Sequence, residues 1–415
     1  MTNSKSTPAP NIASLAFRFV LIIGIANLFA DMTYEGARSI TGPFLGSMGA
    51  NATMVGFVVG FGELMGYTLR SFSGYLADRT HKYWLFVFLG YAINMLAVPA
   101  LALAGSWPVA AALIILERTG RAIRRPAVEA MISHAGKSIG RGRVFGLNEA
   151  LDQAGATVGP LIVALILYLR GSYQSGFAVL LISAFLCLSV LAFARIQYPR
   201  PDELERKSAE PLRVKGFSKP YWIYFSAGAL IAAGFADFAL IAFHFQKGGI
   251  VPQSMIPVLY AVAMATGALS ALVFGRLLDK LGLPVLLLPF FLSALFAPFV
   301  FLGGSTIGFI GMILWGIGMG AQDSLLKAVL SDVVPAEKRS TAFGVFDTGF
   351  GIAWFVGSAT MGWLYEKSIP ALIVFSVLLQ LVAVPVLFFA GRIAAERKTP
   401  SSTWDRITPA TANQE

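Results

Sequence analysis

Charge is scarce in this chain. Only 13% of its 415 residues are Asp, Glu, Lys or Arg, about half the share that a soluble globule carries, while 56% are hydrophobic. That balance excludes a water-soluble domain and makes the chain an integral membrane protein. Cysteine is scarcer still: Cys187 is alone, lies in an apolar stretch and has no partner for an internal disulfide. The three histidines, His81, His134 and His244, are scattered and suggest no metal site. A phosphate-cradling Gly-Lys loop is missing, which excludes direct use of ATP, and no nucleophile-and-base constellation marks an enzyme. The short alternating segments of a β-barrel are also missing. The first ten residues lack the apolar core of a signal peptide, so Met1 to Asn11 and Trp404 to Glu415 read as solvated tails. No cofactor is expected.

What is abundant is long apolar sequence. Trp84 to Leu103, Ala178 to Ala194, Val285 to Leu302 and Ala371 to Ala390 are each long enough, at about 1.5 Å rise per residue, to cross roughly 30 Å of hydrocarbon as helices. The net charge of +10 does not point to nucleic acid, because its basic residues gather in every second connection. Arg79 and Lys82, then Lys137, Arg141 and Arg143, then Arg276 and Lys280, Lys338 and Arg339, and Arg392, Arg397 and Lys398 fall on one side. The connections at Gly46 to Asn51, Gly105 to Pro108 and Gly303 to Thr306 carry no Lys or Arg. The positive-inside rule then places both termini in the cytoplasm, with about twelve spans. A polar run from Arg195 to Lys219, interrupted by Pro199, Pro201 and Pro211, can neither span a bilayer nor build a core, and it divides the chain. The expected organisation is an N-terminal tail over 1–16, a six-helix bundle over 17–195, a central cytoplasmic loop over 196–219, a second six-helix bundle over 220–392 and a tail over 393–415. Helices seven, nine and ten are expected as single elements over 220–246, 284–302 and 305–333.

The halves resemble each other. Phe29-Ala30-Asp31 returns as Phe235-Ala236-Asp237, Gly74 with Asp78 and Arg79 returns as Gly275 with Asp279 and Lys280, Phe145-Gly146 returns as Phe343-Gly344, and Gly159 matches Gly357. Repeated halves with a site between them are a common transporter plan. On these residues the chain resembles the major facilitator superfamily. Gly74-Tyr-Leu-Ala-Asp78-Arg79-Thr-His-Lys82 is similar to its motif A, with Thr80 and His81 where Gly is usual; the second copy keeps that Gly at Gly282. Gly155, Gly159 and Pro160 are similar to the motif C of drug and proton antiporters, although Val163 and Ala164 stand in place of the trailing Gly pair. Arg118 falls in the region of motif B without its Gln-Gly continuation. The resemblance implies an all-α membrane fold of two pseudo-symmetric six-helix bundles and transport by alternating access. Asp78 and Asp279 then read as gating latches at helix ends, with the N-terminus at Ser340 and Thr341 as the partner of Asp78.

Charges inside the spans single out the candidate site. Each costs about 2.5–3.5 kcal/mol in hydrocarbon, so such side chains should face a wet cavity or a partner. Asp31 and Glu35 share a helix face with Arg38 one turn beyond. Arg118, Arg121 and Arg125 form one stripe of helix four, and depth along helix five sets Asp152 level with Arg121 and Glu149 level with Arg124. These levels suggest an Arg121–Asp152 pair and an Arg118 near Asp31, with Arg124 and Arg125 reaching to the interface; a static Glu35–Arg38 pair is the plain alternative for helix one. At the matched register Glu117, Arg118 and Arg121 become Trp315, Gly316 and Met319, while Asn148 and Asp152 become Phe346 and Phe350. The polar machinery thus sits in the first half. Phe346, Phe350 and Trp354 at helical spacing, with Phe238, form an aromatic wall opposite, although such stripes are more often packing. Asp237 and Asp347 are further candidates.

The expected function is proton-coupled efflux of small amphiphilic organic solutes, in the inner or plasma membrane. Asp31, Glu35, Asp152 and Asp237 would carry the proton; Asp31, Arg118, Asn148, Phe238, Phe346, Phe350 and Trp354 would bind the solute. Uptake of a metabolite or an organic anion is the first rival, favoured by surplus arginine facing the cavity; a non-transporting receptor or scaffold is the second. Expected partners are the solute, protons and lipid, without nucleic acid, and a monomer suffices for the architecture.

Overall fold

The structure, a computed structural model, describes residues 12–139, 141–199, 217–281, 283–326, 329–330, 334 and 339–398. The first half holds α1 (Ile12–Ser47), α2 (Ala52–Thr80), α3 (Tyr83–Ala100), α4 (Trp107–Ile139), α5 (Arg141–Arg170) and α6 (Tyr173–Gln197). The second half holds α7 (Lys219–Gly234), α8 (Phe238–Lys247), α9 (Met255–Leu281), α10 (Leu287–Ala294), α11 (Phe296–Leu302), α12 (Ser305–Gly320), α13 (Arg339–Lys367) and α14 (Ile369–Lys398). No strand occurs among the described residues. Ten segments of these residues are long and apolar enough to cross a membrane. The α10–α11 pair, Leu287–Leu302, is a shorter apolar crossing, and α4 fails that criterion on its charges. With these two, the crossings among the described residues number twelve, as the hydropathy predicts. The side bearing the start of α1 and the end of α14 is termed inner, the opposite side outer.

Turn chemistry fixes the ends of these helices. Asn51 caps α2, its side chain accepting from Met54 N at 2.9 Å, and His81 ends the helix in a left-handed conformation (φ 53°). The outer turns before α2 and α6 pass through Gly49 (φ 89°) and Gly171 (φ 65°), a left-handed backbone geometry that glycine adopts at no steric cost.

Two expected helices are broken. The seventh crossing stops at Gly234 and restarts at Phe238, because Asp237 turns its side chain to accept from Ala239 N at 2.9 Å and caps α8. The carbonyls freed by the break are satisfied from other helices. Trp315 Nε1 donates to Ala236 O at 2.9 Å, and Ser376 Oγ and Gln380 Nε2 donate to Gly234 O at 2.6 and 3.1 Å. The ninth crossing divides into α10 and α11 around Leu295, and the tenth passes into a π-turn over Ala321–Leu325, with Leu326, Val329 and Leu330 helical beyond it. The expected span of helix ten to 333 runs past the described residues. The last helix continues to Lys398.

The repeat seen in sequence has a structural meaning. α2 packs along α13 and α5 along α9; α2 and α9 are equivalent positions of the two halves, as are α5 and α13. The matched glycines also do the same work. Gly159 lets α5 approach the backbone of α1 at Met32, and Gly357 lets α13 approach that of α7 at Ala233. A Cβ on Gly159 would come 2.8 Å from Met32 Cα, backbone that cannot step aside. Gly159→Leu is therefore expected to lower the melting temperature in detergent and the membrane yield, at a cost of about 1 kcal/mol or more. A variant with wild-type melting would show that this crossing tolerates separation.

Candidate functional site

The α1 residues Asn27, Asp31, Tyr34, Glu35 and Arg38 recur at helical spacing and form one polar stripe in an otherwise apolar helix. Facing it are Glu63, Tyr67 and Arg70 of α2, Glu117, Arg118, Arg121 and Arg124 of α4, Asn148 and Asp152 of α5, Asp237 at the α7–α8 break and Tyr260 of α9. Most of these side chains are buried. They fall into three groups.

The outer group joins the halves. Arg38 Nη2 lies 3.0 Å from Asp237 Oδ2 and 3.3 Å from Glu63 Oε1. Arg118 Nη2 reaches the same Glu63 oxygen at 3.4 Å, while its Nε is 3.4 Å from Glu117. Asn94 Nδ2 donates to Glu117 Oε1 at 2.7 Å. Tyr260 donates its hydroxyl proton to Glu35 Oε2 across the two halves. A cavity of about 20 Å³ bordered by Tyr34, Arg38, Arg118 and Asp237 has room for about one water molecule.

The inner group belongs to the first half. Arg124 sits 4.0 Å from Asp31 Oδ1 and 4.3 Å from the Tyr91 ring centroid. Tyr91 donates to Asn27 Oδ1, Asn27 Nδ2 to Asn148 Oδ1 at 2.8 Å, and Asn148 Nδ2 to Asp152 Oδ2 at 3.0 Å. The other Asp152 oxygen is buried with no hydrogen-bond partner among the described residues. Arg121 lies over the Tyr34 ring at 4.3 Å.

The third group bridges α2 and α13. Arg70 pairs with Asp347 at 3.4 Å and lies over Tyr67, whose ring meets Phe350 at 5.6 Å.

Several expected pairings are corrected by this geometry. Arg121 turns to Tyr34 rather than to Asp152, which is held by Asn148. Arg118 serves Glu63 and Glu117 instead of Asp31. Arg124 does not reach to the interface; it is buried and takes the place beside Asp31. Glu35 and Arg38 form no pair, since Tyr260 and the two carboxylates of Glu63 and Asp237 claim them. Depth along ideal helices placed Asp152 beside Arg121, whereas the cations that act on it are Arg125 and Arg124, and depth does not give the direction in which each side chain points. Arg125, paired with Glu129 at 3.0 Å, stays partly exposed as expected.

The aromatic residues form one packed column. Phe346, Phe350 and Trp354 follow one another at 5.8 Å. Trp354 meets Phe235 at 5.7 Å, and Phe238 is buried against Tyr260 at 4.4 Å. Trp354 Nε1 is buried without a partner among the described residues. In motif A, Gly74 admits Pro126 of α4 at close range, whereas Gly275 faces open space. Arg79, Lys82 and Lys280 are exposed, and Asp78, also exposed, accepts from the Tyr83 hydroxyl at 3.2 Å. The side chains of Asp279, Ser340 and Thr341 lie outside those described. In motif C, Gly155 and Gly159 are the contact points of α5 on α1, and α5 runs helical through Pro160.

Glu63 was missed from sequence, although it is the hub of the outer group. The argument that singled out Asp31 applies to it equally, since it is the lone acid between Asn51 and Asp78 of an apolar helix. The same argument covers Arg70 of that helix, while Tyr260 and Tyr34 carried no comparable signal.

Twelve crossings in two related halves, with buried charges where the halves meet, define a polytopic membrane protein with a polar site between bundles. The family model described as "Major Facilitator Superfamily" matches residues 22–358, with a second match over 252–413. The chain belongs to that superfamily, and it is a transporter of small molecules rather than an enzyme. It is 41% identical over 384 residues to the uncharacterized protein Rv2265 of Mycobacterium tuberculosis, covering 91% of this chain and 94% of that one. It is 27% identical over 390 residues to the uncharacterized MFS-type transporter MJ1317 of Methanocaldococcus jannaschii, covering 89% and 94%. Among solved structures, a point mutant of a peptide transporter of the POT type aligns with TM-score 0.74 at 15% identity over 93% of this chain and 99% of the other. The nucleoside transporter NupG aligns with TM-score 0.67 at 13% identity over 92% and 99%. At such identities these two speak for the fold alone.

Proposed function

We propose that this protein is a proton-coupled secondary transporter of small amphiphilic organic solutes, working by alternating access as an efflux antiporter. The observation that carries the reading is the Asp31–Asp152 neighbourhood. The other midplane carboxylates have close compensation, with cations at 3.0–3.4 Å from Glu63, Glu117 and Asp237 and the Tyr260 hydroxyl on Glu35. Asp31 has its nearest cation at 4.0 Å, and Asp152 leaves one oxygen buried and unpartnered while feeling the charge of Asp31. Two adjacent, poorly neutralised carboxylates are where a proton is most readily taken up and given back as the site changes its exposure. Asn148, Tyr91 and Asn27 extend the pair as a hydrogen-bonded chain along which the first half can respond.

The access cycle draws on the same helices. The outer ends of the halves are sealed where Gly42 meets the Ala239 backbone and Gly56 the backbone of α13. There Glu366 Oε1 accepts from Ala52 N at 2.8 Å and caps the N-terminus of α2, with Lys247 Nζ at 3.7 Å. Arg121, Asp152 and Asp347 are half-buried and Asp323 is exposed, so the polar interior borders water from the inner side. Asp78, at the other end of α2, is the mirror of Glu366: it takes the N-terminus of α13 when the outer latch opens. The solute sits between the α1–α4–α5 polar stripe and the Phe350 end of the aromatic column. The efflux direction rests on the likeness of Gly155, Gly159 and Pro160 to the antiporter motif. Uptake of an organic anion is the second reading, favoured by Arg121.

The test is external pH recorded from proteoliposomes supplied with matched cationic, neutral and anionic aromatic amphiphiles. Solute-dependent proton movement is expected for the wild type and is expected to fall at least tenfold in Asp31→Asn and in Asp152→Asn. Equal coupling in all three proteins would remove this pair from the mechanism.

A further inference from the structure

We propose that Arg121, held over the Tyr34 ring, is a carboxylate-binding subsite for the transported solute. This rests on the reading of the chain as a transporter of amphiphilic organic solutes, and it names the chemical group such a solute carries.

Arg121 stands apart from the arginines around it. Arg38 has Glu63 and Asp237, Arg70 has Asp347, Arg118 has Glu63 and Glu117, Arg124 has Asp31, and Arg125 has Glu129, all within 4.0 Å. Arg121 has no carboxylate within that distance among the described residues, and no carbonyl accepts a hydrogen bond from it there. Its one contact of note is with the Tyr34 ring, 4.3 Å from the centroid. A ring attracts the cation but does not neutralise it.

Exposure separates it as well. Arg38, Arg118 and Arg124 are sealed at 6%, 4% and 5% exposure, whereas Arg121 is half-buried on the same stripe of α4. An unpaired guanidinium in a membrane crossing must border water or an anion, and the half-burial of Arg121 leaves it within reach of something entering from the inner side. The ring also restrains the side chain on one side, so less freedom is lost when an anion binds.

The site selects for one kind of anion. A guanidinium presents its N–H groups as a planar fork that matches a carboxylate in a bidentate pair. Glu35 and Glu63 act on Arg121 from beyond 4 Å, and Asp31 lies one turn from Tyr34. A guanidinium without a direct ion pair, already screened by Glu35, Glu63 and Asp31, suits a monoanion and disfavours a phosphate dianion. Tyr34, and across the interior Tyr67 with Phe350, offer aromatic surface to the apolar body of the same molecule. The solute is therefore an aromatic or otherwise apolar monocarboxylate, not an amphiphilic amine.

The experiment uses the purified full chain in detergent and three probes of one skeleton: 4-phenylbutyrate, its amide and 4-phenylbutylamine. Binding is read by ligand-induced melting shift and by titration. The wild type is expected to bind the acid at least tenfold more tightly than the amide, and Arg121→Gln to bring the two together. Arg121→Lys, which keeps the charge and loses the fork, is expected to retain part of the preference and serves as the folded control. No preference for the acid in the wild type, or a preference that survives Arg121→Gln, overturns the proposal. Flux assays with the same probes separate it from the transport reading. An acid preference in binding without flux of any probe would sink transport and leave the subsite standing. Flux of the amine with no acid preference would do the reverse.

Discussion

Glu63→Gln is expected to abolish solute-dependent proton movement and to cost about 1–3 kcal/mol of stability, the range for leaving buried polar groups without one partner. The magnitude follows from geometry. One oxygen of Glu63 lies 3.3 Å from Arg38 and 3.4 Å from Arg118, and its side chain is only 11% exposed. Without it, Arg118 keeps Glu117 and Arg38 keeps Asp237, so each arginine loses one of its two carboxylates in a place where water cannot compensate. The double variant Glu63→Gln with Arg118→Gln tests the rest of the network. Arg118→Gln takes from Glu117 its one close cation among the described residues and leaves it only the Asn94 amide, so the double variant should melt below Glu63→Gln and also fail to couple. Recovery of coupling in the double variant would show that the network supports the fold and nothing more.

The second large effect is expected at the outer latch. A charge-assisted hydrogen bond contributes about 1.5–3 kcal/mol, so Glu366→Gln should move the balance between outer-closed and outer-open states by roughly 10- to 100-fold. Thr53 reports this state, because its hydroxyl donates to Gly362 O at 3.4 Å in the closed arrangement. Cys187 is the chain's one cysteine and is buried, so a Cys187→Ala background carrying Thr53→Cys gives a single reactive thiol. Its labelling by a membrane-impermeant maleimide should accelerate in Glu366→Gln and slow in Asp78→Asn, since the two carboxylates hold opposite ends of the same helix pair. Unchanged labelling in Glu366→Gln would leave the seal to packing at Gly56 and Gly42 alone.

The architecture was legible because hydropathy and charge act over whole helices. Twelve crossings, the two related halves and the equivalence of Gly159 and Gly357 all follow from patterns that no single contact can override. The breaks at Gly234–Phe238 and Leu295 were not legible. The carbonyls freed at the first of them are satisfied by Trp315, Ser376 and Gln380, which lie far away in sequence. The site was legible by residue type, since charge in an apolar span is rare enough to stand out. Its pairings were not: which way Arg118, Arg121 and Arg124 turn is settled by Glu63, Tyr34 and Tyr91 on neighbouring helices. Glu63 itself carries no motif and is the lone acid between Asn51 and Asp78, so only the cost of burying its charge could have marked it.

The central claim is that a proton gradient drives solute through the Asp31–Asp152 site. The most direct measurement imposes a pH gradient across proteoliposomes at equal solute concentration on both sides and follows radiolabelled 4-phenylbutyrate, its amide and 4-phenylbutylamine over time. At least one probe is predicted to accumulate above its starting concentration with the wild type, to return to equilibrium when a protonophore is added, and to stay level with Asp31→Asn. Concentrations of all three probes that stay level with the wild type, or accumulation that persists with Asp31→Asn, would contradict the account.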